Sequence, residues 1–399
     1  MDHRLVRDIE RALDWTGPAL LGTEFAIGPL PDAGLCDRLL GPAALLEIIA
    51  RRSLHYPQLR CLQGGGDLHP RDYLSVTTSS RGHRISMADM PNIGRLLRTG
   101  CTLVLDDLGP LDATMEVACR ALSWWAGEIA RVNVYLTTQD AGGWGIHWDS
   151  HDVLCVQLAG EKSWEVRGPS RTAPMDRDAV PNTRPSTDVV WSGTMRAGDV
   201  MHIPRGWWHQ ATRTGSGAGF SLHATFGITR RTGVDWLSWI ADQARADSRF
   251  RRDLDECTGH HELAAAASMV LSSRGPSEYL TTRRREHTTG RHPTSPGLFG
   301  PPETVVCVTD FRPELDVHDG SLVVQAAGRR ITAPAGVLPA LRPLLSGHPV
   351  GLRDLSARTG VDVTALAEVL ISAGVCAETT PALAAGYAGM VSATEEPTP

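Results

Sequence analysis

The eight cysteines, Cys36, Cys61, Cys101, Cys119, Cys155, Cys257, Cys307 and Cys376, are scattered, and none forms a C-x-x-C pair. In a chain of 399 residues that argues against a disulfide framework or a cysteine zinc site and for a reducing cytoplasm. No run approaches the roughly 18 apolar residues that a membrane helix needs. The opening segment MDHRLVRDIE carries acids and no apolar stretch, so no signal peptide is expected. Charge of one sign is lacking too. The net charge is −6, which excludes a uniformly basic nucleic-acid binder and leaves room only for local patches. Lysine is scarce where arginine is common. There is no internal repeat, and no His-Glu-x-x-His of the helical zinc hydrolases. What is present is ordinary for a globular protein, with 42% hydrophobic and 21% charged residues in a length that suits two or three domains.

Residues 1 to about 30 read as a short helix and a loop. Leu35–Arg52 has a helical pattern, Thr102–Asp106 a short apolar strand, and Met115–Ile129 a buried helix with Ala118, Leu122 and Trp125 at helical spacing. From Arg131 to about Ile228 the pattern changes to short β-rich runs between Gly, Pro and Asp turns: VNVYL, HDVLCVQL, KSWEV, DVVW, GDVMHIP and FSLHATFGI. Many short strands at close spacing predict a sandwich or barrel, and the double-stranded β-helix is one such jelly roll. Beyond it, VDWLSWIADQA sets Val234, Leu237, Ile240 and Ala241 on one helical face, flanked by Trp236 and Trp239. Thr281–Pro302, with Arg283, Arg284 and Arg285, reads as a solvated linker. LRPLLSG, RDLSARTGV and VTALAEVLISAG then predict three short helices at helix-turn-helix or winged-helix spacing, with Val363, Leu366, Val369 and Leu370 as the apolar stripe of the third. That third helix carries almost no basic residue, which favours a structural or protein-facing role over DNA binding.

The chemistry sits in G-I-H-W-D-S-H-D at 145–152 and H-I-P-R-G-W-W-H at 202–209. In a strand, residues i and i+2 point to the same side, so His147 and Asp149 offer a nitrogen and an oxygen to one interior. His209, from a distant strand, completes two histidines and a carboxylate. These occupy one face of an octahedral ion and leave the other positions open, as in non-haem Fe(II) oxygenases. An H-x-D alone arises often by chance. The run A-G-D-V-M-H-I-P-R-G-W-W-H, a turn and a strand ending in histidine, raises its specificity. His151 and Asp152 offer a competing set, and His151 is read as a supporting group. His223 is either a pocket residue or a satisfied core histidine. Of Trp207 and Trp208, one packs in the barrel and the other lines its mouth.

N-V-Y-L-T at 133–137, G-I-H-W-D at 145–149, H-D-V-L-C-V-Q-L-A-G-E-K-S-W at 151–164 and G-D-V-M-H-I-P-R-G-W-W-H-Q-A at 198–211 together resemble the ribosomal oxygenase branch of the JmjC proteins. The resemblance implies an α+β chain built on a cupin-type double-stranded β-helix with a helical segment and a C-terminal winged-helix-like domain. The implied divisions are 1–230 catalytic, 231–295 helical and dimerising, 296–380 winged-helix-like, and 381–399 a disordered tail. It implies Fe(II) held by His147, Asp149 and His209, with 2-oxoglutarate and O2 as co-substrates. Lys162 lies where the family pairs a lysine with the far carboxylate of 2-oxoglutarate. On the residues alone, Lys162 also reads as a solvated turn lysine after Gly160-Glu161. Asn133 matches a position that helps hold the co-substrate, and Tyr135 shares its strand face. The chain departs from the family pattern in the loop Gln139–Gly145, at Trp148 and at Ser150, all near the pocket mouth.

The expected activity is hydroxylation of an arginine or histidine side chain in a protein such as a ribosomal protein, by a cytoplasmic homodimer with no membrane and no nucleic-acid partner. Two competing readings remain: a hydroxylase that tailors a peptide natural product or its precursor, and a non-catalytic JmjC-fold binding or regulatory protein.

Overall fold

The structure is a computed structural model that describes residues 1–139, 141, 143–175, 184–212, 219–254 and 259–391. It divides into two compact units, one of residues 1–229 with 346–349 and 379–399, the other of residues 230–345 with 350–378.

The first unit is a twisted jelly roll with helices against its larger sheet. Its main strands, beside the short Gly66–Asp67 and the hairpin Leu74–Thr78/Arg84–Ala88, are β1 (Ala26–Pro29), β2 (Leu59–Gln63), β3 (Thr102–Leu105), β4 (Ala130–Thr138), β5 (Asp152–Pro169), β6 (Val189–Arg196), β7 (Asp199–Ile203), β8 (Trp207–Thr212) and β9 (Phe220–Ile228). The larger sheet runs β1-β7-β5-β9-β4-β3-β2, all antiparallel. The smaller one places β6 and β8 on either side of the second half of β5. Strand β4 shows the sorting. Val132, Val134 and Leu136 enter the main core, where α1 (Arg4–Leu13) brings Leu5 and Ile9 and α2 (Ala113–Ala126) brings Met115, Ala118 and Leu122. Asn133, Tyr135 and Thr137 alternate to the barrel interior, as a period of two requires. Asp112 starts α2 by accepting a hydrogen bond from the Met115 N–H at 2.9 Å, a standard N-cap.

The runs HDVLCVQL and KSWEV, expected as separate strands, form one 18-residue strand, β5. It serves both sheets because its register slips midway. Leu154, Val156 and Leu158 face the main core, while Val153 and Cys155 face a second cluster inside the barrel. Past the slip, the even-numbered Trp164 and Val166 join that second cluster. The shift falls where Leu222↔Ala159 is followed by His223↔Gln157, and Gly160 beside it has φ +64°. A Cβ there would lie 1.9 Å from the Phe220 carbonyl oxygen. This is a β-bulge, and it changes which side chains face inward.

The second unit begins with α3 (Gly233–Ala244), whose start is a capping box between Thr232 and Asp235. Helices α4 (His260–Ser273) and α5 (Pro276–Glu286) follow. Next come β10 (Thr304–Cys307), the antiparallel sheet β11-β12-β13 (Glu314–His318, Ser321–Ala326, Arg329–Pro334), and the helices α6 (Leu338–Leu344), α7 (Leu352–Thr359) and α8 (Val363–Ser372). Gly360 ends α7 with φ +66°, and the α7–α8 pair has helix-turn-helix form.

Several expectations are corrected. The helix expected over Leu35–Arg52 is two, Gly34–Leu39 and Pro42–Arg51, because Pro42 cannot continue a helix but starts one well. The segment Thr281–Pro302 is not all linker, since α5 runs to Glu286 and buries Tyr279. The buried stripe of α8 is Val363, Ala367, Leu370 and Ile371, while Val369 is 50% exposed. On α3 only Ile240 is buried, with Val234 and Leu237 about half exposed. Of the segment 381–399 expected as a tail, Pro381–Tyr387 is a helix that buries Leu383 and Tyr387. Residues 392–399 and, in the loop Gln139–Gly145, residues 140 and 142 lie outside the described residues.

Candidate active site

The motif Pro204-Arg205-Gly206-Trp207 is a tight turn between β7 and β8, closed by the Trp207 N–H on the Pro204 carbonyl at 3.1 Å. Gly206 has φ +83°, and a Cβ there would meet the Pro174 ring at 2.3 Å. Its N–H donates to the Asp149 carbonyl at 2.9 Å, and Asp152 accepts from the Arg205 N–H at 3.0 Å. The turn thereby ties the H-x-D segment to the strand that carries His209. A two-way backbone bridge completes the tie, with His147 N–H to His209 O at 3.0 Å and His209 N–H to His147 O at 2.8 Å.

His147, Asp149 and His209 consequently converge, each offering one ligand atom, and these atoms lie within 4.8 Å of one another. His147 Nδ1 lies 2.8 Å from the Gly145 carbonyl and His209 Nδ1 lies 3.1 Å from that of Trp207. Each Nδ1–H donates to its carbonyl, which leaves both Nε2 lone pairs for an ion. Burial pushes the Asp149 carboxyl upward. Contact with His209, whose Nε2 lies 3.5 Å from the carboxylate, and the nearby His151 and His147 outweigh this and hold it below the usual carboxylate range. Burial, then the neighbouring His209, depresses His147. Two imidazole nitrogens beside a carboxylate are a donor set that a divalent metal such as Fe(II) accepts. His151 stands apart, with Nδ1 3.2 Å from the Asp152 carbonyl and its ring against Gly227.

Lys162 is the only lysine in the sequence, and it is 1% exposed. The bulge at Gly160 turns it inward, so it is not a solvated turn residue. Its Nζ donates to Thr137 Oγ1 at 2.6 Å, and no carboxylate pairs with it among the described residues. Burial pushes its ammonium down to about 8. Thr137 was missed by sequence reasoning, although it is two residues beyond Tyr135 on the same face. The indole of Trp164 connects the two regions, with its ring 6.3 Å from His209 and 5.4 Å from His223. Tyr135 stacks on His223 at 4.7 Å. Burial, then the Asp106 and Asp149 carboxylates, raises its hydroxyl well above the ordinary value, against a hydrogen bond with Asn133. Asn133 also accepts the Asp107 N–H at 2.9 Å. Trp207 packs against the inner cluster, and Trp208 is buried with its indole N–H on Ser170 Oγ at 2.6 Å.

Trp144 stands edge-on to both Tyr135 and His147. The guanidinium of Arg60, from β2, covers its ring at 4.5 Å and donates to Asp106 at 2.7 Å. No local signal links Arg60 to this wall, because it arrives from a strand about 80 residues upstream.

A family profile described as JmjC domain matches residues 115–233. The chain is 27% identical over 214 residues to ribosomal oxygenase 1 of Gallus gallus, a match covering 50% of this chain and 35% of that protein. It is 30% identical over 204 residues to the bifunctional lysine-specific demethylase and histidyl-hydroxylase NO66 of Caenorhabditis elegans, covering 50% of this chain and 25% of that one. The matched segment spans about a third or less of the length of these curated relatives. Among solved structures, the Escherichia coli ribosomal oxygenase YcfD is similar with a TM-score of 0.55 at 15% identity, covering 94% of this chain and 99% of that one. A second YcfD structure, in complex with cobalt and 2-oxoglutarate, is similar with a TM-score of 0.54 at 14% identity, covering 91% and 98%. At this identity the structural likeness shows the fold, an α+β chain on a double-stranded β-helix with flanking helical and C-terminal regions.

Proposed function

We propose that this chain, which resembles the ribosomal oxygenase branch of the JmjC-domain proteins, is an Fe(II)- and 2-oxoglutarate-dependent dioxygenase that hydroxylates an amino-acid side chain of a ribosomal or similar protein. The observation that carries this reading is the convergence of His147, Asp149 and His209 in a barrel that also holds a buried ammonium without a carboxylate partner. An unpaired buried charge is costly, and an anionic co-substrate relieves that cost. The donor set suits iron, and Lys162 suits the distal carboxylate of 2-oxoglutarate.

When bound, iron with 2-oxoglutarate and O2 supplies the oxidising power that replaces a C–H hydrogen by hydroxyl. The chain's own residues bind and orient. His147, Asp149 and His209 would hold the ion. Lys162, steadied by Thr137, holds the co-substrate's far end as a point charge. Tyr135 and Asn133 wall the pocket beside it, and Trp144 shields the His147 side from water. The name of the Caenorhabditis elegans relative, which includes histidyl-hydroxylase, favours a histidine target among the two expected residue types.

Anaerobic protein with Fe(II) and 2-oxoglutarate is expected to show a weak visible charge-transfer band that His147→Ala lacks. A folded wild-type protein without the band sinks the reading and brings forward the non-catalytic one. Incubation with ribosomal proteins is then expected to add the mass of one oxygen atom to one of them. Such a gain on a small peptide alone would favour the tailoring reading.

The same reading makes the chain a cytoplasmic homodimer. Val234 and Leu237 on α3, both about half exposed, support a subunit contact, which sedimentation would test. The lack of arginine and lysine on α8 supports a protein-facing role for the winged-helix-like part. No helix among the described residues is long and apolar enough to cross a membrane.

A further inference from the structure

We propose that His223 is a second residue holding the distal carboxylate of the co-substrate, a role that rests on the 2-oxoglutarate reading above. On the barrel face of the larger sheet, Thr137 lies opposite Ser221 and Tyr135 lies opposite His223. Lys162 reaches Thr137, so its ammonium sits one rung, about 7 Å, along the strand from the Tyr135–His223 pair. His223 is 3% exposed, and its Nδ1 is buried with no partner among the described residues. Leaving such a group unpaired costs on the order of 1–3 kcal/mol, so a native site leaves one where a ligand supplies the partner.

The surroundings specify that ligand. Tyr135 covers one face of the imidazole at 4.7 Å and 6° between planes, and Trp164 meets it at 5.4 Å and 72°. These contacts fix the ring and leave its nitrogens as its only polar offer. Burial, then the Lys162 charge, keeps the imidazole neutral, so it donates one N–H. A carboxylate accepts several hydrogen bonds. Lys162 satisfies part of that capacity, and His223 supplies another donor on the same face. The aromatic packing accounts for the ring's orientation but not for its buried, unpartnered nitrogen.

The test is calorimetric titration of anaerobic Fe(II)-loaded protein, without turnover, using 2-oxoglutarate and oxalate. Oxalate chelates the metal but has no distal carboxylate. His223→Phe keeps a flat ring for Tyr135 and Trp164 and removes the nitrogens. It is expected to weaken 2-oxoglutarate binding about tenfold and to leave oxalate binding unchanged. Equal weakening of both ligands, or of neither, overturns the assignment. Lys162→Met separates this from the reading beneath it. A loss of 2-oxoglutarate affinity in Lys162→Met but not in His223→Phe overturns the role of His223 alone. No loss in either variant overturns the pocket reading, and the inference with it.

Discussion

Lys162 is the side chain proposed to hold the co-substrate's far end, and being the only lysine it is also the only side-chain amine in the chain. Two predictions follow from its burial. Lys162→Ala removes the partner of a buried carboxylate, an effect of about 3 kcal/mol, so 2-oxoglutarate should bind about a hundredfold more weakly. Metal affinity should stay the same, since Lys162 is not among the converging ligand groups. The second concerns pH. The ammonium is pushed down to about 8, and only the protonated form attracts the co-substrate. Affinity should therefore be greatest below pH about 8 and fall up to tenfold per unit above it. Lys162→Arg, if it binds at all, should lose that dependence. A flat profile from pH 7 to 9.5 in the wild type would contradict the placement of the ammonium. At this scale much was legible beforehand. His147 and Asp149 were legible as a pair two residues apart, although the strand expected there is only an isolated bridge from His147 to His209, and His209 ends a recognisable turn-and-strand run. Thr137 as the partner of Lys162, the His223–Tyr135 stack and the Arg60 cover on Trp144 were not legible. Each depends on how segments distant in sequence come together, which periodicity within one strand does not encode.

Among the elements, β5 decides the site. Its first half reads with odd residues inward and its second half with even residues inward, and the two patterns taken separately look like two strands and a turn. The bulge that joins them is what converts Lys162 from a turn residue into a pocket residue, and it depends on Gly160. At φ +64°, with the Phe220 carbonyl 1.9 Å from the place of a Cβ, only glycine fits. Gly160→Ala should force β9 away or shift the register of β5, costing about 3 kcal/mol or more. Thermal unfolding should show the loss, and any folded fraction should bind 2-oxoglutarate as poorly as Lys162→Ala. A Gly160→Ala protein with wild-type melting and wild-type co-substrate affinity would show that the bulge does not set the inward turn. The broken helix at Pro42 was a milder misreading of the same kind. The apolar period ran through Leu40–Gly41, and the proline rule was the signal to weigh against it.

Over the whole molecule, the first unit is assembled from both ends of the chain, because residues 379–391 return to it after the second unit is complete. Composition suggested a frayed tail there, since small residues and prolines dominate the last 20 positions. The returning helix, Pro381–Tyr387, nevertheless packs on α2. Leu383, Tyr387 and Met390 are at most 4% exposed, and Met390 belongs to the same core as the helices behind the barrel. Tyr387 accepts a hydrogen bond from buried Arg120 at 2.6 Å, and Arg38 donates to the Ala388 carbonyl at 2.8 Å. Removing three such side chains and leaving Arg120 without its hydroxyl should cost about 5 kcal/mol or more, a large share of the roughly 5–15 kcal/mol by which domains are stable. A chain ending at residue 378 is therefore expected to melt far below the full protein and to lose the iron and 2-oxoglutarate signature, although it keeps every residue of the candidate site. A chain ending at residue 391 keeps the helix, Met390 and both hydrogen bonds, and should match the full protein in melting temperature. Equal stability of the two truncations would mean that the returning segment adds nothing to the barrel's support. Loss in the shorter chain alone would mean that the first unit depends on the last turn of the chain, and that the second unit is an insertion within it.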